Sequence, residues 1–270
     1  MKHKPLRIFW IWLLAGLMSL DAAQIIWVVQ EDGPAGIEFV DMLRTEGHDV
    51  EIMVVAGEPP TTEQQDTMNA ADLVVVSRKV NSGDGGYNTF VWNETITTPL
   101  IAQSPYILRT NDTERWQWMD GDALADGTPS PLEANDATHK LFEGIPLTDG
   151  ISPAWHFAID RNTTVSTDQP AKGGKALATK TGGPEGAIIA AEWETGQVAV
   201  GPRMLFFMGA REPAENMGIG EDYGRFNLTD IGQIAYLNAV SYYVGPWGPA
   251  HLWATFGKDL GNVRKTGGLT

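Results

Sequence analysis

The 270-residue chain contains no cysteine. That absence excludes a disulfide scaffold, a thiolate metal site, a cysteine nucleophile and a lipid-modified N-terminal cysteine. Positive charge is scarce: 19 Lys and Arg stand against 34 Asp and Glu, for a formal net charge of −15. A surface of that sign repels phosphate backbones and anionic lipid heads, which excludes nucleic acid as a partner. Long apolar runs are missing as well. The uncharged run Ile8 to Leu20 has 13 residues, short of the roughly 20 that cross a bilayer, and no later apolar run is long enough.

That short run has the layout of an export signal. Lys2, Lys4 and Arg7 precede it, and Asp21-Ala22-Ala23 supplies small residues for cleavage after Ala22. This layout predicts a signal peptide over 1–22, a single α/β domain over 23–246 and a C-terminal tail over 247–270. It places the protein outside the cell or in the periplasm, without a stable membrane anchor. Losing three basic residues and one acidic one leaves the remainder at −17.

What the chain does have is an ordinary core. Apolar residues make up 43% and tryptophan occurs 10 times, so disorder is excluded as the dominant state. Ile25 to Val29 reads as a strand buried on both faces. From Ala35, the spacing of Ile37, Val40 and Leu43 predicts an amphipathic helix ended by Gly47. Asp49 to Val55 is a second strand, and Thr62 caps a helix running to Asn69. Leu73 to Val76, a helix over Tyr87 to Thr95 and a strand over Pro99 to Gln103 continue the alternation. Asp120 to Pro131 reads as a polar loop. Short strands follow at Trp155 to Ile159, Ala176 to Thr179, Ala187 to Trp193 and Leu205 to Met208. A closing helix carries Leu228, Ile231, Ala235, Asn238 and Tyr242 on one stripe, capped by Thr229 or Asn227. The expected fold is a three-layer, flavodoxin-like parallel sheet with helices on both faces and an antiparallel extension in the C-terminal half.

Open parallel sheets bind ligands outside the carboxyl ends of their strands. The residues there are Glu31 and Asp32, Ser77 and Arg78, Gln103 and Ser104, and Arg211 and Glu212. We expect them to share one rim.

Three stretches carry a family resemblance: Ala71-Asp-Leu-Val-Val-Val-Ser77, Pro99-Leu-Ile-Ala-Gln-Ser104, and Glu192-Trp-Glu-Thr-Gly196 followed by Arg203-Met-Leu-Phe-Phe-Met-Gly209. With the closing Leu237-Asn238-Ala239, the chain resembles the class I glutamine amidotransferase-like superfamily and, within it, the ThuA-like proteins. The resemblance implies that Ser104 stands where the superfamily has its cysteine nucleophile. It also implies that His139 matches a histidine of the ThuA-like pattern, with Lys140 replacing a proline, so that His139 lines a site. The superfamily's histidine after the last strand is replaced by Arg211-Glu212-Pro213. Arginine stays protonated and cannot serve as a base, and Pro105 follows Ser104 where a small flexible residue is expected.

Two other chemistries are open. Glu31, Asp32 and Glu212 can converge at the strand ends as an acidic set able to support glycoside hydrolysis, with Glu212 as catalytic acid, although plain salt bridges to Arg78 or Arg211 are the favoured reading. Arg115-Trp116-Gln117-Trp118 places two indoles on one side if extended, a surface for stacking on a sugar ring, with core packing as the alternative. No histidine pair has metal-ligand spacing, so no metal or other cofactor is expected. The readings are a binding domain for a carbohydrate or similar small polar ligand, a secreted hydrolase using Ser104 or the carboxylates, and a protein-interaction scaffold.

Overall fold

A strand covered on both faces must be apolar throughout, and runs of that kind set the middle of the sheet. The protein is described by a computed structural model over residues 22–33, 36–110, 115–159, 161–182, 184, 186–211 and 224–245. Strands β1 (Gln24–Val29), β2 (Asp49–Val54), β3 (Leu73–Val76) and β4 (Leu100–Ala102) come first. All of β3 and β4, and all of β1 after Gln24, is buried. The edge strand β2 is only partly buried, at Val50 and Met53.

The antiparallel half contains β5 (Leu124–Gly127), β6 (Leu132–Ala134), β7 (Ile151–Ser152), β8 (Thr163–Ser166), β9 (Lys175–Lys180) and β10 (Ile188–Trp193), before the last strand, β11 (Arg203–Phe206). The sheet runs β2-β1-β3-β4-β11-β10-β9-β6-β7. Its first five members are parallel, in the flavodoxin-like order. From β10 onward the pairing is antiparallel, and β8 joins β10 at one register position while pairing β5. The fold is therefore mixed α/β with a largely parallel centre, as the alternation of elements predicts.

Helices α1 (Ile37–Thr45) and α4 (Asp230–Val244) share a face, where Phe39 lies 5.8 Å from Tyr236 and 5.8 Å from Trp27 of β1. Helices α2 (Thr62–Ala70) and α3 (Val91–Glu94) complete the set. Thr61, one residue earlier than expected, caps α2 through a reciprocal bond pair with Gln64. Thr229 caps α4 by accepting from the Gly232 N–H. Gly47 ends α1 at φ 94°, a conformation glycine adopts without cost.

Three expectations change. The helix predicted over 87–95 shortens to α3, because the Asp84 carboxylate accepts from the N–H groups of Gly57 and Gly86 and holds the preceding residues as turns. No strand forms at 155–159, where His156 makes a single bridge to Leu228. The polar loop at 120–131 contains β5, which exists because β8 supplies its partner.

Candidate functional site

The strand ends bring several predicted residues together. The Arg78 N–H donates to Gln103 Oε1 (3.2 Å), and Gln103 Nε2 donates to the Tyr236 hydroxyl (3.2 Å). Ser77 Oγ accepts from the Lys79 N–H (3.2 Å). The Arg78 side chain is buried, with its guanidinium 4.9 Å from the centroid of the Tyr106 ring. Gly209 and Gly224 press against it: a Cβ on Gly209 would lie 2.9 Å from Arg78 Cβ. Glu31 is exposed and 3.7 Å from the Lys79 ammonium, while the Asp32 carboxylate accepts from the Gly33 N–H. Arg211 leaves the rim and donates to Asp126 of β5 at 2.6 Å, a plain ion pair of the kind the sequence allows. Glu212 lies outside the described residues. Among the described residues the polar groups of this edge bond largely to one another. Lys79 and Tyr106 take part although neither stands out in the sequence; the position of Lys79 immediately after Arg78 is the one signal that points to it.

Ser104 does not have the geometry of a nucleophile. Its side chain is fully buried, its Oγ has no hydrogen-bond partner among the described residues, and its backbone (φ −97°, ψ 118°) is ordinary extended chain rather than a strained elbow. Pro105 follows at the first position of a 3-10 turn. A proline has no N–H, so the oxyanion donor normally supplied by the residue after the nucleophile is missing. Ser104→Ala is therefore expected to leave stability unchanged or raise it by up to about 1 kcal/mol, since it removes an unsatisfied buried hydroxyl. Urea denaturation checks this; a loss above that amount means the hydroxyl has a partner.

The tryptophans are a core, which corrects the expected stacking surface. Trp116 and Trp118 are both 0% exposed. Trp92, Trp116, Trp118 and Trp193 follow one another with ring centroids 5.2 to 5.4 Å apart. Each of the last three indole N–H groups is spent inside the protein: Trp116 on the Tyr87 carbonyl, Trp118 on Asn93 Oδ1, Trp193 on the Ala171 carbonyl. The chain turns at Gln117 (φ 55°), so the two rings pack on each other instead of lying side by side on an extended strand.

The same segment nevertheless borders the largest hollow among those described, about 630 Å³, at the amino ends of β4 and β11. Gln117, Lys172, Glu94 and Phe90 line it, with Trp116 and the 196–200 connection. Asn93 and Gln197 also line it, but their amides serve the walls, bonded to Trp116, Trp118, Glu194 and Gly173. Gln117 and Lys172 both have a left-handed backbone, φ 55° and 50°, which costs a non-glycine residue about 1 kcal/mol each. Arg115 is half-buried next to this segment.

His139 sits far along the sheet from the rim, as cap of a 3-10 turn at Lys140–Phe142. Its Nδ1 accepts from the Leu141 N–H (3.1 Å) and its Nε2 is 3.4 Å from Glu192 Oε2. His156 is buried, with Nε2 donating to the Gly127 carbonyl (3.0 Å) and Nδ1 without a partner among the described residues. Burial, helped by the Lys180 charge, pushes its pKa down to about 4. Above pH 6.5 the imidazole is neutral folded or unfolded. As pH falls from 6.5 to 4 only the unfolded chain takes up the proton, so stability drops, by about 3 kcal/mol at the end of that window. Urea midpoints for wild type and His156→Gln at pH 7.5 and 4.5 check this: the variant should show a smaller loss, and equal losses would refute it.

These features define a doubly wound α/β domain whose carboxyl edge lacks, among the described residues, a serine paired with a base. No family model matches the chain, and no curated protein does. Among solved structures it is similar to the crystal structure of a protein assigned as a GMP synthase subunit, from Thermoplasma acidophilum, with 11% identity over 88% of this chain and 98% of that one and a TM-score of 0.43. At that level the likeness adds nothing to the strand order, on which the fold class rests.

Proposed function

We propose that the protein is an exported member of the amidotransferase-like superfamily, in its ThuA-like branch, that binds a carbohydrate or similar hydroxyl-rich ligand without Cys-His chemistry. The observation that carries the non-catalytic half is Ser104, sealed from solvent and followed by a residue with no N–H. Export is supported by the basic start and short apolar run of the sequence, and the branch by the motifs around Ala71, Pro99 and Glu192.

The ligand site in this reading is the hollow at Gln117 and Lys172. The Lys172 ammonium and the Glu94 carboxylate on this hollow suit a ligand that both donates and accepts hydrogen bonds. The cost of the two left-handed residues also supports it. Glycine at either position relieves that cost, so Gln117→Gly and Lys172→Gly should raise stability slightly while removing a ligand contact. On an array of neutral glycans, wild type should bind, and the double variant should lose at least about tenfold of that signal. Wild type with no signal above background, or a double variant that binds like wild type, rejects the reading.

A further inference from the structure

The connection that lines the first hollow with residues 196–200 opens, through Glu194, Thr195 and Pro202, onto a second one of about 370 Å³. Glu192, Tyr242 and Tyr243 complete its wall. Its chemistry is of a different kind. The Tyr242 and Tyr243 rings meet at 5.2 Å and 59°, forming an aromatic corner. Both belong to the last turn of α4, which holds no Lys, Arg or His to offset the negative end of the helix.

Glu192 is 12% exposed and points one oxygen at His139. Because His139 Nδ1 accepts from a backbone N–H, the neutral ring carries its proton on Nε2 and donates it toward the carboxylate. The polar side chains beside it, His139 first and then Tyr242 and Lys175, outweigh burial and hold the Glu192 carboxyl below the usual carboxylate range. A mostly buried, ionised carboxylate therefore faces the hollow, with Glu194 on the same wall. The one cation at this carboxylate among the described residues is the 66% exposed Lys175, whose ammonium reaches Glu192 Oε1 at 3.8 Å. An ammonium group thus already approaches this oxygen from the protein's own surface.

We infer that this hollow is a binding site for a small organic cation, an alkylammonium or quaternary ammonium group. The carboxylate supplies charge, and the tyrosine corner supplies the ring faces on which such cations settle. A bare metal ion fits poorly, because no three His, Asp or Glu side chains converge among the described residues. Lys175 then acts as a resident competitor at the mouth of the site.

Tetramethylammonium chloride is the probe, titrated into the full chain at constant chloride and followed by NMR, with tert-butanol as neutral isostere. Wild type should show saturable shifts with a dissociation constant of roughly a millimolar, and tert-butanol should show none. Glu192→Gln should weaken binding at least about tenfold, whereas Lys175→Gln should tighten it by about threefold. That gain distinguishes competition from a structural role. If Glu192→Gln fails to fold, Tyr242→Leu, at a ring that is 43% exposed, should give the same loss. Absence of saturable shifts in wild type, equal response to tert-butanol, or Lys175→Gln binding no tighter than wild type overturns the assignment. None of these outcomes depends on the glycan experiment.

Discussion

Replacing Arg203 with methionine should lower stability by about 4 kcal/mol and the melting temperature by roughly 10 °C. Arg203 opens β11 and is fully buried. Its Nη1 donates to the carbonyls of Thr98 (3.1 Å) and Pro202 (3.0 Å), and its Nη2 to those of Trp92 (2.9 Å) and Ile96. One guanidinium thus closes the end of α3 onto the entrances of β4 and β11, where of its four acceptors the Pro202 carbonyl also takes the Leu100 N–H. No carboxylate balances it among the described residues, and burial pushes its pKa down to about 10. Methionine fills much of the volume but leaves several buried acceptors unpaired. Arg203→Lys should recover less than half of the loss, because an ammonium cannot fork to four carbonyls in one plane. Thermal and urea denaturation of both variants check this. A methionine variant within about 1 kcal/mol of wild type would show that the carbonyls find water.

Truncating Trp118 to alanine should cost a similar amount, about 4 kcal/mol. The side chain is packed between Trp116 and Trp193, and its loss opens a cavity that two rigid rings cannot close. Asn93 Oδ1 also loses its donor while its amide still holds the Trp116 carbonyl. Trp118→Phe keeps most of the packing and should cost about 1 to 2 kcal/mol. The same variant separates core from ligand surface. As a core residue, it should leave the glycan-array signal intact in a folded protein. A folded Trp118→Phe variant that no longer binds glycan would instead put that ring in contact with the ligand.

The parallel half was legible because its signal is local. Val74, Val75 and Val76 in succession, or Ile25 to Val29, have no polar face and can only be strands covered on both sides. The antiparallel half was less so. Leu124 to Gly127 contains an aspartate and a glycine, and becomes a strand only because Thr163 to Ser166 lies alongside. Strand-end residues such as Ser77, Arg78 and Gln103 fall at the edge of the sheet, since topology alone puts them there. Whether they leave a cavity depends on Tyr106, Gly209 and Gly224, which arrive from distant parts of the chain.

Sequence by itself determined the strand and helix alternation, the missing thiol and the missing histidine after the last strand, because each is a property of residue type or short-range period. Only the tertiary structure decided that Ser104 is sealed, that the tryptophans face one another, and that Gln117 and Lys172 line the same hollow. Those outcomes depend on which distant side chain occupies the space beside each residue, and a left-handed turn at a single glutamine is enough to reverse where two indoles point.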